Sequence, residues 1–273
     1  MKQSKYSMAD LQRVMQRLRD PVTGCPWDKA QDFKSVISST LEECYELAQS
    51  IEDEDYPHVA EELGDVLFQV MFYSQMGDER NLFHFEDVVD TLVAKLLRRH
   101  PHVFLNNEIE GVVDQSVSVE EVNDRWEAIK QDERKARAES EILADVPLAL
   151  PALSRAQKLQ KRATGVGFDW AEPGAVLDKL REEIEELEQA MAAREQAAIE
   201  DEMGDVLFTC VNMARQLGLD AESSLRRATR KFEKRFVQME ILAEANGESV
   251  DGMSGEELEA LWKKAKSCLK LGT

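Results

Sequence analysis

The sequence predicts an all-α protein built from two tandem, repeated, four-helix-bundle-like domains. The first observation is a duplication. Glu42, Glu43 and Glu46 precede Glu62-Leu63-Gly64-Asp65-Val66-Leu67-Phe68, and 140 residues later Glu182, Glu183 and Glu186 precede Glu202-Met203-Gly204-Asp205-Val206-Leu207-Phe208. A unit written twice at one offset points to a repeated structural module. The second is composition: strong helix formers dominate, and 13 Gly and 7 Pro in 273 residues leave few breakers. The third is period: apolar residues recur three and four apart over most of the chain. Asp145 to Pro151, with two prolines, is the natural linker, dividing the chain into 1–144 and 145–273.

In order, Ser7 caps a helix over 7–20 whose apolar face is Met8, Leu11, Val14, Met15 and Leu18. The Pro- and Gly-punctuated stretch from Asp20 to Asp28 is a loop. Its ending, Cys25-Pro26-Trp27-Asp28, reads as a packed tryptophan that closes the bundle. Helices follow over 31–53, 56–77 and 84–99, the last stopped by Pro101. Residues 105–118 read as an irregular loop with room for a short strand, and 119–140 as a helix. The second half repeats the plan with helices over 152–163, 174–193, 196–217, 220–245 and 254–269.

Composition excludes several classes. The hydrophobic share of 43% suits packed cores, and no long uncharged apolar run predicts a membrane span. A net charge of −20 opposes binding to nucleic acid or an anionic membrane. The N-terminus does not resemble a secretory signal. Cys25, Cys44, Cys210 and Cys268 form no Cys-x-x-Cys pair, which fits reduced thiols and a cytoplasmic setting. Cys44 and Cys210 fall in apolar stripes and read as core. His100 and His102 lack zinc-type spacing. Thr164 to Trp170 is Gly-rich but lacks the spacing of a phosphate-cradling loop.

The duplicated acids carry the chemistry. Glu183 and Glu186 share one side of a helix, as do Glu202 and Asp205. The stripes Leu180, Ile184, Leu187, Met191 and Met203, Leu207, Cys210, Ala214 run beside them. Antiparallel packing through those stripes would bring four carboxylates to one seam. Converging anions repel, and a hard divalent cation on oxygen ligands offsets them; Mg²⁺ commonly does so together with substrate phosphates. One such cluster alone is usually a solvated face, but duplication at matched spacing argues for a site. At an offset of 136, Lys95, Arg98 and Arg99 align with Lys231, Lys234 and Arg235, and Trp126 and Lys130 align with Trp262 and Lys266. Bases repeated in register with acids suit a phosphate clamp facing a metal site.

Glu-Glu-x-x-Glu followed by Glu-x-x-Asp resembles the metal motif of the all-α nucleoside triphosphate pyrophosphohydrolases. The duplicated motif is similar to that of the MazG family within it. So are Trp27-Asp28, the stretch from Lys95 to Phe104, Lys158-Leu159-Gln160-Lys161-Arg162-Ala163 and Val166-Gly167-Phe168-Asp169-Trp170. The resemblance implies a helical, dimeric, Mg²⁺-dependent enzyme that cleaves nucleoside triphosphates to monophosphate and pyrophosphate. It implies that Glu183, Glu186, Glu202 and Asp205 bind the metal and that Glu182 supports them or orients water. Lys179, Lys231 and Arg235 would hold phosphates, and Trp262 would contact the nucleotide. The corresponding N-terminal set is Glu43, Glu46, Glu62 and Asp65. Ser39 stands where Lys179 stands in the second half, so the first half lacks one phosphate-binding charge.

Other classes stay in view. A pyrophosphohydrolase restricted to a modified or deoxy nucleotide fits the same motifs. A di-iron carboxylate bundle requires Glu-x-x-His, which neither copy has. A helical scaffold or regulatory nucleotide-binding module would release no pyrophosphate.

Overall fold

The structure is a computed structural model that describes residues 5–112, 117–136 and 141–271. It separates into two compact units, Met1–Asp132 and Glu133–Thr273. The described residues form helices joined by short turns, and their β-pairing is one isolated bridge between Phe104 and Val112. The expected all-α class and the tandem arrangement are both present.

In the first unit, α1 (Met8–Leu18) starts at a reciprocal cap between Ser7 and Asp10, which satisfies orphan amides of the first turn. After α2 (Pro26–Ala30), α3 (Ile37–Glu52) and α4 (Tyr56–Glu79) form the central hairpin, with Asp55 capping α4. α5 (Phe85–Arg99) packs on α4, and α6 (Val119–Ala136) follows. Met15, Val36, Phe72 and Met76 form the core, with Phe33, Phe68 and Tyr73 against it. The helix expected from 31 begins only at Ile37, because Asp32 Oδ1 accepts from the amides of Lys34 and Ser35 and holds a turn there. The last four residues of the helix expected over 119–140 lie outside the described residues.

The second unit repeats the hairpin. α7 (Ala152–Thr164) leads through a loop to α8 (Pro173–Ala193) and α9 (Gln196–Gln216). Gly167, at φ 82°, supplies the left-handed turn before Phe168. Asp169 is tied to Arg215 of α9, which also donates to buried Asn212. Arg194, at φ 59°, ends α8 in the left-handed region and reverses the chain. α10 (Ala221–Ala245) and α11 (Gly255–Leu271) pack on each other through Met239, Ala243, Leu261 and Ala265.

The hairpin seam differs from the expected one. The buried and half-buried row of α8 is Val176, Leu180, Glu183, Leu187 and Ala190; that of α9 is Ile199, Glu202, Val206, Thr209 and Met213. Each row steps by three and four, the spacing of packed helices. The equivalent row occurs 140 residues earlier, as Val36 at the N-cap of α3 and Thr40, Glu43, Leu47, Ser50 on that helix, facing Val59, Glu62, Val66, Gln69, Tyr73 on α4. By contrast Ile184, Met191, Met203 and Leu207 are 42–58% exposed. Cys44 and Cys210 are exposed as well, correcting the expectation that they are core. The sequence pattern misleads because two seam positions in each hairpin are glutamates, so the apolar period is displaced onto its neighbours. Trp27 is a further correction: it is 59% exposed, while Asp28 beside it is buried and its carbonyl accepts from Arg19. The short α2 turns the acid inward and the indole outward.

Candidate functional site

In the second unit, Glu183 and Glu186 stand one turn apart on α8, with Glu202 facing them from α9. Each offers a carboxylate oxygen, and these oxygens all lie within 4.8 Å of one another. Glu183 is buried at 6% exposure, Glu202 half-buried and Glu186 exposed. Partial desolvation at the seam, a hydrogen bond to Glu183 and its charge raise the Glu186 carboxyl above the usual range. Lys179 is one turn before Glu183. Its Nζ donates to Glu182 Oε1 at 2.8 Å and lies 3.0 Å from Glu183 Oε1. Hydrogen bonds to Glu182 and Glu183 hold the ammonium above the ordinary lysine value.

The first unit brings Glu43, Glu46 and Glu62 equally close. Here Ser39 provides no cation, and the Glu43 carboxyl is raised by burial and then by Asp65, Glu46, Glu62 and Glu42. Glu62 Oε2 is buried without a hydrogen-bond partner. In both units the fourth expected acid lies outside the three-residue group. Asp205 and Asp65 sit a turn beyond Glu202 and Glu62 on the same side and are exposed. Clustered carboxylates with an orphaned buried oxygen suit a hard divalent cation. A group of ionised glutamates at this separation is otherwise destabilising.

The remaining predicted residues form a second group. Arg235 Cζ lies 5.5 Å from the Trp262 ring centroid, and the Phe232 ring is tilted against the same indole at 43° with centroids 5.3 Å apart. Lys231, four residues before Arg235 on α10, is exposed. Among the described residues no hydrogen bond or ion pair joins Lys231, Arg235 or Trp262 to the carboxylates. Phe232 was not singled out in the sequence; an aromatic inside a basic cluster was its signal. In the first unit Lys130 Nζ lies 4.5 Å over Trp126, with the His100 ring 5.8 Å away. Each unit thus sets a base against its Trp, but from different positions: Lys130, four residues after Trp126, in the first unit, and Arg235 of α10, not Lys266, in the second. Gly64 and Gly204, next to the aspartates, have open space where a Cβ would stand, so packing within the unit does not explain them.

Comparison with known proteins decides the family. The model of the MazG nucleotide pyrophosphohydrolase domain matches twice, over residues 31–104 and 172–261. The chain belongs to the MazG family. Each match spans one acidic hairpin. The chain is 48% identical over 255 residues to a nucleoside triphosphate pyrophosphohydrolase of Escherichia coli strain K12, covering 93% of this chain and 94% of the relative. It is 42% identical to the nucleoside triphosphate pyrophosphohydrolase/pyrophosphatase MazG of Thermotoga maritima, covering 97% of this chain and 98% of the relative. It also matches the uncharacterized protein YabN of Bacillus subtilis at 39% identity, over 96% of this chain but 52% of that protein.

Proposed function

We propose that the chain hydrolyses nucleoside triphosphates to the monophosphate and pyrophosphate, and that the C-terminal unit carries the main activity. The observation that carries this is the convergence of Glu183, Glu186 and Glu202 on the α8–α9 seam, beside a lysine. Family membership and the names of relatives matched over nearly their whole length support the reaction class. In this reading residues 1–144 are the N-terminal MazG-type domain and 145–273 the C-terminal one.

The residues divide the work. Glu183, Glu186, Glu202 and Asp205 would hold Mg²⁺. Bound there, the cation supplies charge neutralisation and Lewis acidity. Lys179, Lys231 and Arg235 grip phosphate oxygens, and Trp262 and Phe232 hold the base by stacking. Glu182 orients a water. The water oxygen bonds to the α-phosphorus as the bond to the α,β-bridging oxygen breaks. The bridging oxygen leaves with pyrophosphate, and the water proton passes through Glu182 to solvent. Lys231 and Arg235 stabilise the charge developing on the leaving group. Gly204 leaves room for substrate on this face. In the N-terminal unit Glu43, Glu46, Glu62 and Asp65 form a second cation site with weaker turnover.

In the same reading the chain acts as a homodimer in the cytoplasm. The exposed row of Ile184, Met191, Met203 and Leu207 is what a second copy would cover, and four free cysteines suit a reducing compartment. No helix among the described residues is long and apolar enough to cross a membrane. A panel of ribo- and deoxynucleoside triphosphates with Mg²⁺, with products resolved, tests the reaction. Monophosphate and pyrophosphate are expected; diphosphate and orthophosphate as the primary products would overturn it.

A further inference from the structure

The second unit already places a cation on its candidate metal ligands. Glu183 belongs both to the three-carboxylate group and to the ion pair with Lys179. Buried at 6% exposure, it has little water to fall back on. The first unit is the natural control. Its seam row runs through equivalent positions, yet Ser39 replaces the lysine, and no ion pair reaches Glu43 among the described residues.

We propose that Lys179 is an exchangeable counter-ion. It neutralises Glu183 while the site lacks metal and releases it to the metal when the triphosphate arrives, moving its own charge onto a phosphate. This rests on reading the acidic group as the metal site. The lysine stem has four flexible carbons, so the ammonium can change partners with no backbone movement. Two cations competing for one carboxylate oppose each other. Metal alone therefore binds weakly in the second unit, and nucleotide strengthens it by removing the competitor. Linkage makes that effect reciprocal: metal strengthens nucleotide binding by the same factor. The first unit, without a competitor, takes its metal independently of nucleotide.

The test measures Mn²⁺ binding by electron paramagnetic resonance on the full chain, with and without a non-hydrolysable α,β-methylene triphosphate. Glu62→Gln silences the first unit so that the second is read alone. In that background Lys179→Met and Lys179→Ser should each raise nucleotide-free Mn²⁺ affinity by about tenfold, the order expected from removing a nearby like charge. Both should shrink the further gain produced by nucleotide. In the reciprocal arm, which leaves Lys179 untouched, Ser39→Lys with Glu202→Gln should lower Mn²⁺ affinity in the first unit. Unchanged or weaker nucleotide-free affinity in the Lys179 variants would overturn the exchange while leaving the metal site standing. If Glu202→Gln, added to Glu62→Gln, left Mn²⁺ binding intact with and without nucleotide, the metal-site reading itself would fail, and the exchange with it.

Discussion

The two acidic hairpins are copies whose seam rows run through equivalent positions, with both seam glutamates kept, and they differ in how their charge is balanced. In α8–α9 Lys179 sits 3.0 Å from Glu183. In α3–α4 Ser39 stands in its place, the Glu43 carboxyl is pushed up, and a Glu62 oxygen is buried without a partner. Three converging carboxylates therefore specify where a cation can sit. A single neighbouring charge decides what else the site can do. In the proposed reading, the same fold and acid set serve a hydrolytic centre in one unit and a simpler cation site in the other.

The sharpest way to break this comparison is to disable one hairpin at a time. Glu202→Gln should lower pyrophosphate release by about 100-fold or more, since disturbing even the outer partners of a metal ligand can cost 10- to 100-fold. The matched Glu62→Gln should retain most of the wild-type rate. A dead Glu62→Gln with an active Glu202→Gln would reverse the assignment, and two dead variants would mean that the units share one activity.

Next in size is the clamp. Lys179→Ser gives the second unit the residue of the first. A charge-assisted contact is worth roughly 1.5–3 kcal/mol, so kcat/KM should fall about 10- to 100-fold. Steady-state kinetics showing a loss under twofold would remove Lys179 from the transition state.

A smaller effect should appear in stability. In the proposed reading Mg²⁺ binds only the folded site, so it should raise the melting temperature. In the Glu62→Gln background, which leaves the second unit's site to be read alone, the rise should be largest with that site intact, smaller on adding Asp205→Asn and smallest on adding Glu202→Gln, because Asp205 lies outside the three-residue group. Equal shifts in all three would mean a general salt effect.

The smallest effect concerns pH. The folded Glu43 carboxyl is raised above its ordinary value, chiefly by burial and then by neighbouring acids. Its protonated form therefore favours the fold. That contribution is complete below the unfolded pKa and is lost as pH rises through the raised folded value. Without divalent ions, Glu43→Gln should show a flatter decline in melting temperature across that window. A decline as steep as that of wild type would assign the strain to another group.

Much of the fold was legible because Ser7 and Pro101 mark helix ends and the duplication marks the units. The carboxylates were legible for the same reason. The seam was not, because glutamates occupy core positions at the site and displace the apolar period by one residue. Exposure of Met191 and Leu207 follows from that, as does exposure of Cys210. The ion pair of Lys179 with Glu183 was also hidden. Spacing of four shows that the two can meet, while burial of Glu183 decides that they do. Phe232 escaped because its meaning depends on Trp262, thirty residues away on another helix.

The most direct test of the central claim is hydrolysis of a triphosphate in ¹⁸O-labelled water by the Glu62→Gln chain with Mg²⁺. Attack at the α-phosphorus by the second unit predicts label in the monophosphate, unlabelled pyrophosphate and a rate near that of wild type. Label in pyrophosphate or orthophosphate would contradict it.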